Sequence, residues 1–233
     1  GSSSSTRGAT GNYSTAMGYF TTASGIRSTA IGESTNASGS RSTAMGFETT
    51  ASGATSTAMG TQTRASGTQS SAMGYETTAS GDASTAMGVF TTASEYASTA
   101  MGFGTTASGD YSTAIGMRTT ASDYASTVIG HYNSSGSTAT SATSFSTSAP
   151  AFVIGNGTDG SNLSDAFKVM FNGDATVSND LTIEGSLILG EGSLILGGES
   201  YTSIPLSTVS EGGNTGVRLS SSDAANHGDI GSN

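Results

Sequence analysis

The chain has 233 residues, of which 34 are Gly and two are Pro, none is Cys or Trp, and its formal net charge is −10. Only 33 residues are Ile, Leu, Val or Phe, fewer than an ordinary globular core requires, yet only 10% are charged, which is also unlike disordered chains. The acidic balance argues against a nucleic-acid partner, the absence of Cys excludes disulfides and thiolate chemistry, and no apolar run reaches the length of a membrane-spanning helix.

The first 130 residues are organised by a fourteen-residue repeat. The pentapeptide Ser-Thr-Ala-Met-Gly first occurs at 14–18, and related pentapeptides follow at the same interval through 126–130. A second motif, Thr-x-Ala-Ser, first occurs at 21–24 and recurs in each copy up to 119–122. Nine copies of one motif and eight of the other indicate a solenoid in which each repeat stacks on the next.

Each repeat is predicted to form two five-residue β-strands joined by two-residue corners. In the first copy the strands are 14–18 and 21–25, since alternating Thr and small residues suit a strand, whereas recurrent Gly and Thr disfavour a helix. The corner pairs vary between copies, as exposed positions do, for example at 19–20, 26–27 and 61–62. Stacked strands lie about 4.8 Å apart, so the nine copies predict a narrow parallel β-roll about 40 Å long.

Strand alternation predicts which side chains face the interior. Ser14, Ala16 and Gly18 share one face, which we expect to point inward, while Thr15 and the residue after Ala16 point outward. The outward column is apolar in every copy: Met17, Ile31, Met45, Met59, Met73, Met87, Met101, Ile115 and Ile129. A lone roll leaves such a column in water, which soluble monomers rarely tolerate, so the pattern predicts a homo-oligomer.

The alternation of S-T-A-M/I-G with T-x-A-S-G resembles the YadA-like head repeats of trimeric autotransporter adhesins, and similar repeats in trimeric fibre proteins of phage and predatory bacteria. The resemblance spans roughly residues 8–132. It implies an all-β fold, a left-handed parallel β-roll assembled as a homotrimer, with the Met/Ile column as the trimer core. The family often has Val before the Ala, where this chain has Thr15, Thr29 or Ser71, so we expect a thinner and more polar trimer core.

The second half of the chain is predicted to contain a connector and a fibre-like region. Residues 133–150 are rich in Ser and Thr and lack strong periodicity, which is typical of a connector between the head roll at 1–132 and the remainder. In the region 151–233 we expect strands near 152–154 and 166–171 with turns at 155–157 and 172–174. GSLILG occurs at 185–190 and 192–197, which predicts short strands completed by neighbouring chains in an interwoven, small β-prism-like trimer.

The sequence offers no constellation for catalysis, so we predict neither an enzyme nor a bound cofactor or metal. The only histidines, His131 and His227, are 96 residues apart. Clusters at 156–159 and 172–174 carry oxygen ligands that suit calcium, but the same residues are typical of turns, and the calcium-loop patterns are missing. Copper binding by the Met side chains is the other alternative. However, Ile replaces Met at three positions of the column, which indicates that the volume of the side chain is required there rather than its sulfur atom.

Aromatic residues at the corners are the candidate binding surface. Eleven aromatics fall at or near corner positions, including Tyr96, Tyr111 and Tyr124. Such residues stack on sugars or bury in a protein partner, and the alternative is that they pack across rungs or subunits. The predicted surface-binding residues are Tyr19, Phe20, Phe47, Tyr75, Phe90, Phe103 and Tyr132.

These patterns predict an extracellular trimeric fibre or adhesin segment that attaches to surfaces through many weak contacts with glycans or with host or prey proteins. Export and anchor signals are expected outside the chain, on a cell surface or a virion. A structural spacer or tail-fibre shaft with its binding tip elsewhere is the first alternative. An ice-binding solenoid is the second, but Arg64 interrupts the outward Thr ladder that begins at Thr22, and the Thr21 column has the interior parity of Ala23.

Overall fold

The computed structural model describes residues 7–182, which form a parallel β-solenoid of about nine turns that contains no helix. The predicted GSLILG strands lie outside the described residues. Two sheets run along the solenoid, a narrow sheet of nine strands and a wide sheet of twelve. The all-β solenoid predicted from the repeat is therefore confirmed within residues 7–182.

Strands are numbered in chain order, and each repeat contributes one long and one short strand. The five-residue strands of the wide sheet are β2 (Thr15–Tyr19), β4 (Thr29–Glu33), β6 (Thr43–Phe47), β8 (Thr57–Thr61), β10 (Ser71–Tyr75), β12 (Thr85–Val89), β14 (Thr99–Phe103), β16 (Thr113–Met117) and β18 (Thr127–His131). The two-residue strands of the narrow sheet are β1 (Gly8–Ala9), β3 (Thr22–Ala23), β5 (Asn36–Ala37), β7 (Thr50–Ala51), β9 (Arg64–Ala65), β11 (Thr78–Ala79), β13 (Thr92–Ala93), β15 (Thr106–Ala107) and β17 (Thr120–Ala121).

Neighbouring repeats pair in parallel at a constant register of fourteen residues. Ala58 lies opposite Ala72, and Met59 lies opposite Met73, so identical side chains stack in columns along the solenoid. The backbone groups of the inner strands thereby find their partners in the adjacent rungs.

The prediction of two five-residue strands per repeat is wrong for the second strand, which has two residues. In the first full repeat the ladder ends after Ala23, because the N–H groups of Ser24 and Gly25 both donate to the carbonyl of Ala37, at 3.0 and 3.2 Å. The Ser28 hydroxyl donates to the Gly25 carbonyl at 2.8 Å and closes a turn. The long strand is also displaced by one residue and begins at Thr15.

The predicted corners are confirmed by a left-handed residue at each of them. In the first full repeat these residues are Phe20, with φ of 53°, and Arg27, with φ of 57°. Seventeen non-Gly residues between 13 and 132 have positive φ in this way. Left-handed conformation is unfavourable for residues with a Cβ, so the stacked backbone ladder holds the corners in a conformation that the side chains alone would not choose.

Small residues fill the interior, as strand alternation predicts. The Ala columns that begin at Ala23 and Ala30 are fully buried, and Val128 and Val153 continue one of them at the C-terminal end. The Ser column from Ser28 and the Thr column from Thr21 are also buried. The interior therefore consists of methyl groups and hydroxyls, which allows the two sheets to approach closely.

Glycine is required where rungs come closest. Gly60 has φ of 123°, and a Cβ at this position would lie 2.0 Å from the carbonyl oxygen of Gly74 in the next rung. The same contact recurs along the column, so the last residue of each Ser-Thr-Ala-Met-Gly motif has no alternative to Gly.

The wide sheet continues beyond the last repeat. β19 (Pro150–Asn156) pairs in parallel with β18, after an intervening segment of 18 residues, and places Val153 opposite Val128. β20 (Asp165–Met170) and β21 (Ala175–Val177) then add antiparallel strands. The strands expected near 152–154 and 166–171 are confirmed, whereas the division into domains at 132 and 150 stays a prediction.

Candidate functional site

The Met/Ile column lies on the outward face of the wide sheet, where alternation places it. Met17, Met87 and Ile115 are 59%, 39% and 37% exposed, and the other six members are half-buried. Because consecutive members are paired through their backbones, the column is continuous from β2 to β18. One chain thus presents an apolar stripe one residue wide and nine rungs long.

A second outward column widens this stripe, and sequence reasoning missed it. The residue two positions after each Met/Ile is the last of its strand and faces the same side. From β10 onward this column is apolar at Tyr75, Val89, Phe103 and Met117. The repeat pattern predicts corners at these positions, but each is the last residue of a long strand, and its spacing of two from the Met/Ile column is the signal for this.

The apolar face extends past the repeats onto β19 and β20. Ile154 pairs with Ile129 of β18 and, on its other side, with Phe167 of β20. The rings of Phe152 and Phe167 lie 6.3 Å apart, edge to face. We define the apolar face as the outward Met/Ile column, its neighbouring column from Tyr75 to Met117, and Phe152, Ile154 and Phe167.

Three of the predicted surface-binding aromatics come together at one edge of the wide sheet. Phe90 lies between Tyr75 and Phe103, with ring centroids 5.4 and 5.7 Å apart and the rings edge to face. The guanidinium of Arg118 lies 5.5 Å from the Phe103 ring centroid. These rings are about 40% exposed and border the apolar face, so their position suits an interface between chains as well as a ligand.

The remaining predicted aromatics lie apart from this cluster. The ring centroids of Tyr19 and Phe20, in the first repeat, lie 3.9 Å apart. The Arg7 guanidinium lies 3.7 Å from the centroid of the Phe20 ring. Phe47 is exposed two rungs before Tyr75 in the same column. Tyr132 packs edge to face on His131 at the last repeat, 4.9 Å between centroids. The seven residues therefore do not form one site.

A second aromatic row lies at the opposite edge of the solenoid. Tyr111 is flanked by Tyr96 and Tyr124, with centroids 5.3 and 5.4 Å apart. Burial raises the pKa of the Tyr111 hydroxyl, and the nearby charges of Tyr96, Tyr124 and Asp110 raise it further. The sequence shows these tyrosines as corner aromatics, but their alignment follows only from the register of the rungs.

The clusters considered for calcium form turns in the structure. The Asp159 carboxylate accepts hydrogen bonds from the Asn162 side chain at 3.0 and 2.9 Å and from the Ser161 N–H at 2.8 Å. These bonds, that of the Asn162 side chain above all, lower the pKa of Asp159. Asn172 donates to the Asp174 carboxylate at 2.7 Å. Within residues 7–182 no three His, Asp or Glu side chains converge as metal ligands would.

Neither the Thr21 column nor the Thr22 column forms an exposed, uninterrupted Thr array. The column from Thr21 is buried inside the solenoid, as its parity predicts. The outward column that begins at Thr22 is interrupted by Asn36 and Arg64, both exposed. A flat and uninterrupted hydroxyl array is therefore missing from the outward column of the narrow sheet.

Comparison with known proteins identifies the repeat. The family model of the YadA head domain repeat, which represents two copies, matches residues 9–35, 37–63, 65–91, 93–119 and 107–133. These matches together cover more than half of the chain. No curated protein matches the chain. In the part of the chain that the structure describes, no helix is long and apolar enough to cross a membrane.

Proposed function

The chain belongs to the YadA head family, and we propose that it is a segment of a trimeric adhesive fibre. Three copies associate through the apolar face, with the Met/Ile column at the threefold axis and the left-handed roll that the family resemblance implies. The family is structural and adhesive rather than enzymatic, and its members are typically exposed on the cell surface. The observation that supports the assembly most directly is the continuous apolar column that one chain leaves in water.

Association of three chains buries the Met/Ile column of each chain against the columns of the other two. Met17, Met87 and Ile115 are each more than a third exposed in one chain, and transfer of such side chains to an apolar contact is favourable by about 25 cal/mol per Å². Met is unbranched and polarisable, so it adapts to the irregular space at an axis where three copies of one residue meet. An in-register column gives the same contact at every rung, which favours a long and parallel assembly.

Adhesion would follow from repetition. Each exposed residue recurs in three chains, and equivalent positions recur along nine rungs, so weak contacts with a glycan or a protein surface add through avidity. The partner lies outside the cell or virion that carries the fibre. A spacer that only separates an anchor from a distant tip would have the same assembly without surface contacts.

Sedimentation of the purified chain tests the assembly. We expect an elongated particle of about three times the 22.9 kDa of one chain. Met59→Asp would place three like charges beside one axis, at a cost of several kcal/mol, so it should dissociate the trimer or prevent folding. Gln69→Asp, at an exposed corner, is the matched control and should sediment like the unchanged protein. A stable folded monomer at micromolar concentration would contradict the proposal.

Binding to glycan and cell-surface arrays tests the adhesive function. We expect the trimer to be retained on at least one surface class and to show little thermal hysteresis. Trimers that no array retains would support the spacer instead. Thermal hysteresis of order one degree, with no array binding, would support an ice-binding solenoid.

A further inference from the structure

A pocket lies at the C-terminal end of the solenoid, between the segment after β18 and the β19–β20 hairpin. Its volume is about 270 Å³. Pro150, Lys168 and Met170 line one side, and six Ser and Thr residues between 134 and 148 line the other. The pocket is thus lined by hydroxyl-bearing residues and one cation, with apolar surface from Pro150 and Met170.

The pocket faces away from the apolar face. Lys168 lies opposite Val153, which is fully buried inside the solenoid, and Met170 lies opposite Pro150. Residues directly opposite in a sheet share a face, so Lys168 and Met170 point to the interior side of the wide sheet, and Phe167 points to the other side. Covering the apolar face in an assembly therefore leaves this side of the hairpin unchanged.

Lys168 supplies a positive charge in a chain that is otherwise mainly acidic. It is the only Lys among 233 residues, in a chain of net charge −10, and its side chain is half-buried. Among residues 7–182 no carboxylate lies within 4.0 Å of its ammonium group. Asp165, on the same strand, instead accepts hydrogen bonds from the N–H groups of Ser134 and Ser135, both at 2.8 Å.

We propose that this pocket binds one acidic monosaccharide unit, a sugar ring that carries a carboxylate. The carboxylate pairs with the Lys168 ammonium group, which has no anion beside it among the described residues. Ser and Thr hydroxyls both donate and accept hydrogen bonds, as the hydroxyls of a sugar do, so the two sets are complementary. Pro150 and Met170 offer C–H groups against which a pyranose ring packs.

The size and charge of the pocket favour this ligand over others. Sites for drug-sized ligands have volumes of about 300–1,000 Å³, so a pocket of about 270 Å³ suits a single ring rather than a larger molecule. A neutral sugar would leave the ammonium group without a partner, and a simple carboxylate would leave the hydroxyls unused. One partly exposed ion pair contributes little, so we expect millimolar affinity for a monosaccharide.

The proposal concerns a site within one chain and does not depend on the proposed trimer. A trimer would present three such pockets, and a polymeric acidic glycan could then engage them together and gain avidity.

The methionines allow a test that separates the two proposals. The protein has eight Met; Met170 lines the pocket, and the other seven lie on the apolar face. In the full chain with ¹³C-methyl Met, we expect glucuronate to shift the Met170 signal with millimolar affinity and to leave the other seven unchanged. Glucose and acetate should each bind about five-fold more weakly.

Two charge variants complete the test. Lys168→Gln should weaken glucuronate binding about five-fold, whereas Arg64→Gln, which removes an exposed cation elsewhere, should leave it unchanged. Sedimentation of each variant checks that its assembly is the same as that of the unchanged protein. Equal glucuronate binding by Lys168→Gln, equal binding of acetate and glucuronate, or no shift of Met170 would each overturn the proposal, whatever the oligomeric state.

Discussion

The repeats and the C-terminal end of the solenoid satisfy the same backbone groups in different ways. Within the repeats, the Thr106 N–H donates to the carbonyl of Thr119 in the next rung at 2.9 Å. After the last repeat, the Thr120 N–H donates to the side-chain oxygen of Asn133 at 2.8 Å, and the Asn133 side-chain amide donates back to the Thr120 carbonyl at 2.9 Å. A side-chain amide thus replaces the missing rung and closes the edge of the narrow sheet.

The Asp123 side chain also forms hydrogen bonds with backbone groups at the end of the solenoid. This residue stands where all earlier repeats but one have Gly, as at Gly109, and its Oδ1 accepts hydrogen bonds from the N–H groups of Thr140 and Ser141 at 2.6 and 2.7 Å. The Tyr124 N–H also donates to the Ser141 carbonyl at 2.8 Å. The comparison teaches that backbone periodicity stabilises the repeats, whereas two single substitutions within the repeat pattern stabilise their end, as terminal caps do in other solenoids.

The largest effect is expected where the repeats tolerate no Cβ. Gly60→Ala would place a methyl group 2.0 Å from the Gly74 carbonyl at a positive φ, so the rungs must separate. We expect the free energy of unfolding to fall by roughly 3–5 kcal/mol, measured by chemical denaturation. Gly160→Ala, in the terminal region with open space around it, is the control and should change stability by less than about 0.5 kcal/mol. Equal losses would show that rung contact does not limit the repeats.

Removal of the cap is expected to have the next largest effect. Asn133→Ala leaves both backbone groups of Thr120 without their side-chain partner, which should cost roughly 2–4 kcal/mol. Asn36→Ala, at an exposed position in the narrow sheet, should cost less than about 0.5 kcal/mol. Hydrogen exchange should also show faster exchange at Thr120 in Asn133→Ala alone. Equal stability of the two variants would contradict the capping role.

Two buried hydroxyl columns should respond with opposite signs. The Ser70 hydroxyl donates to the Gly67 carbonyl at 2.7 Å, so Ser70→Ala should lower stability by about 1 kcal/mol. The Thr77 hydroxyl is buried and has no hydrogen-bond partner among the described residues, so Thr77→Val, which keeps the shape, should be neutral or stabilise by up to about 1 kcal/mol. Thermal unfolding of both variants measures the difference, and a destabilised Thr77→Val would mean that the hydroxyl forms a hydrogen bond inside the solenoid.

The smallest effect is expected at a corner. Thr55 is β-branched and has φ of 60°, a conformation that Gly adopts without steric cost. Thr55→Gly should therefore stabilise the solenoid by about 0.5 kcal/mol, after the greater entropy of Gly in the unfolded chain is included. Thr57→Gly, two residues later in strand β8, should destabilise it by about 1 kcal/mol. Loss of stability in both variants would show that the corner is not strained.

The repeated part of the fold follows from the sequence because strand alternation and a constant period assign each column to a face. Ala23, Thr21 and Ser28 are interior for this reason. The end of the solenoid was not predicted, because Asn133 is the one departure from its Thr column and Asp123 is one of two, with Glu95, from its Gly column. A signal was present: each stands fourteen residues after a Thr or a Gly of the repeat. The Val-Ile-Gly of β18 also recurs in β19, which indicated that the sheet continues.

The candidate surfaces followed from the sequence to different degrees. The outward Met/Ile column needed only alternation. The column from Tyr75 to Met117 was missed because the long strand extends one residue further than its motif. The pocket at Lys168 was not found, since it joins residues between 134 and 170 whose contacts depend on the path of the 18-residue segment between β18 and β19.

Cross-linking tests the central claim, that the outward face of the wide sheet is the assembly face. The chain has no Cys, so Met73→Cys and Thr78→Cys each introduce a single thiol, one on the apolar face and one on the outward side of the narrow sheet. Disulfides form only when two Cα atoms approach within about 7 Å. On oxidation, we predict covalent dimers for Met73→Cys and monomers for Thr78→Cys on a non-reducing gel. Monomers for Met73→Cys together with dimers for Thr78→Cys would contradict the assignment.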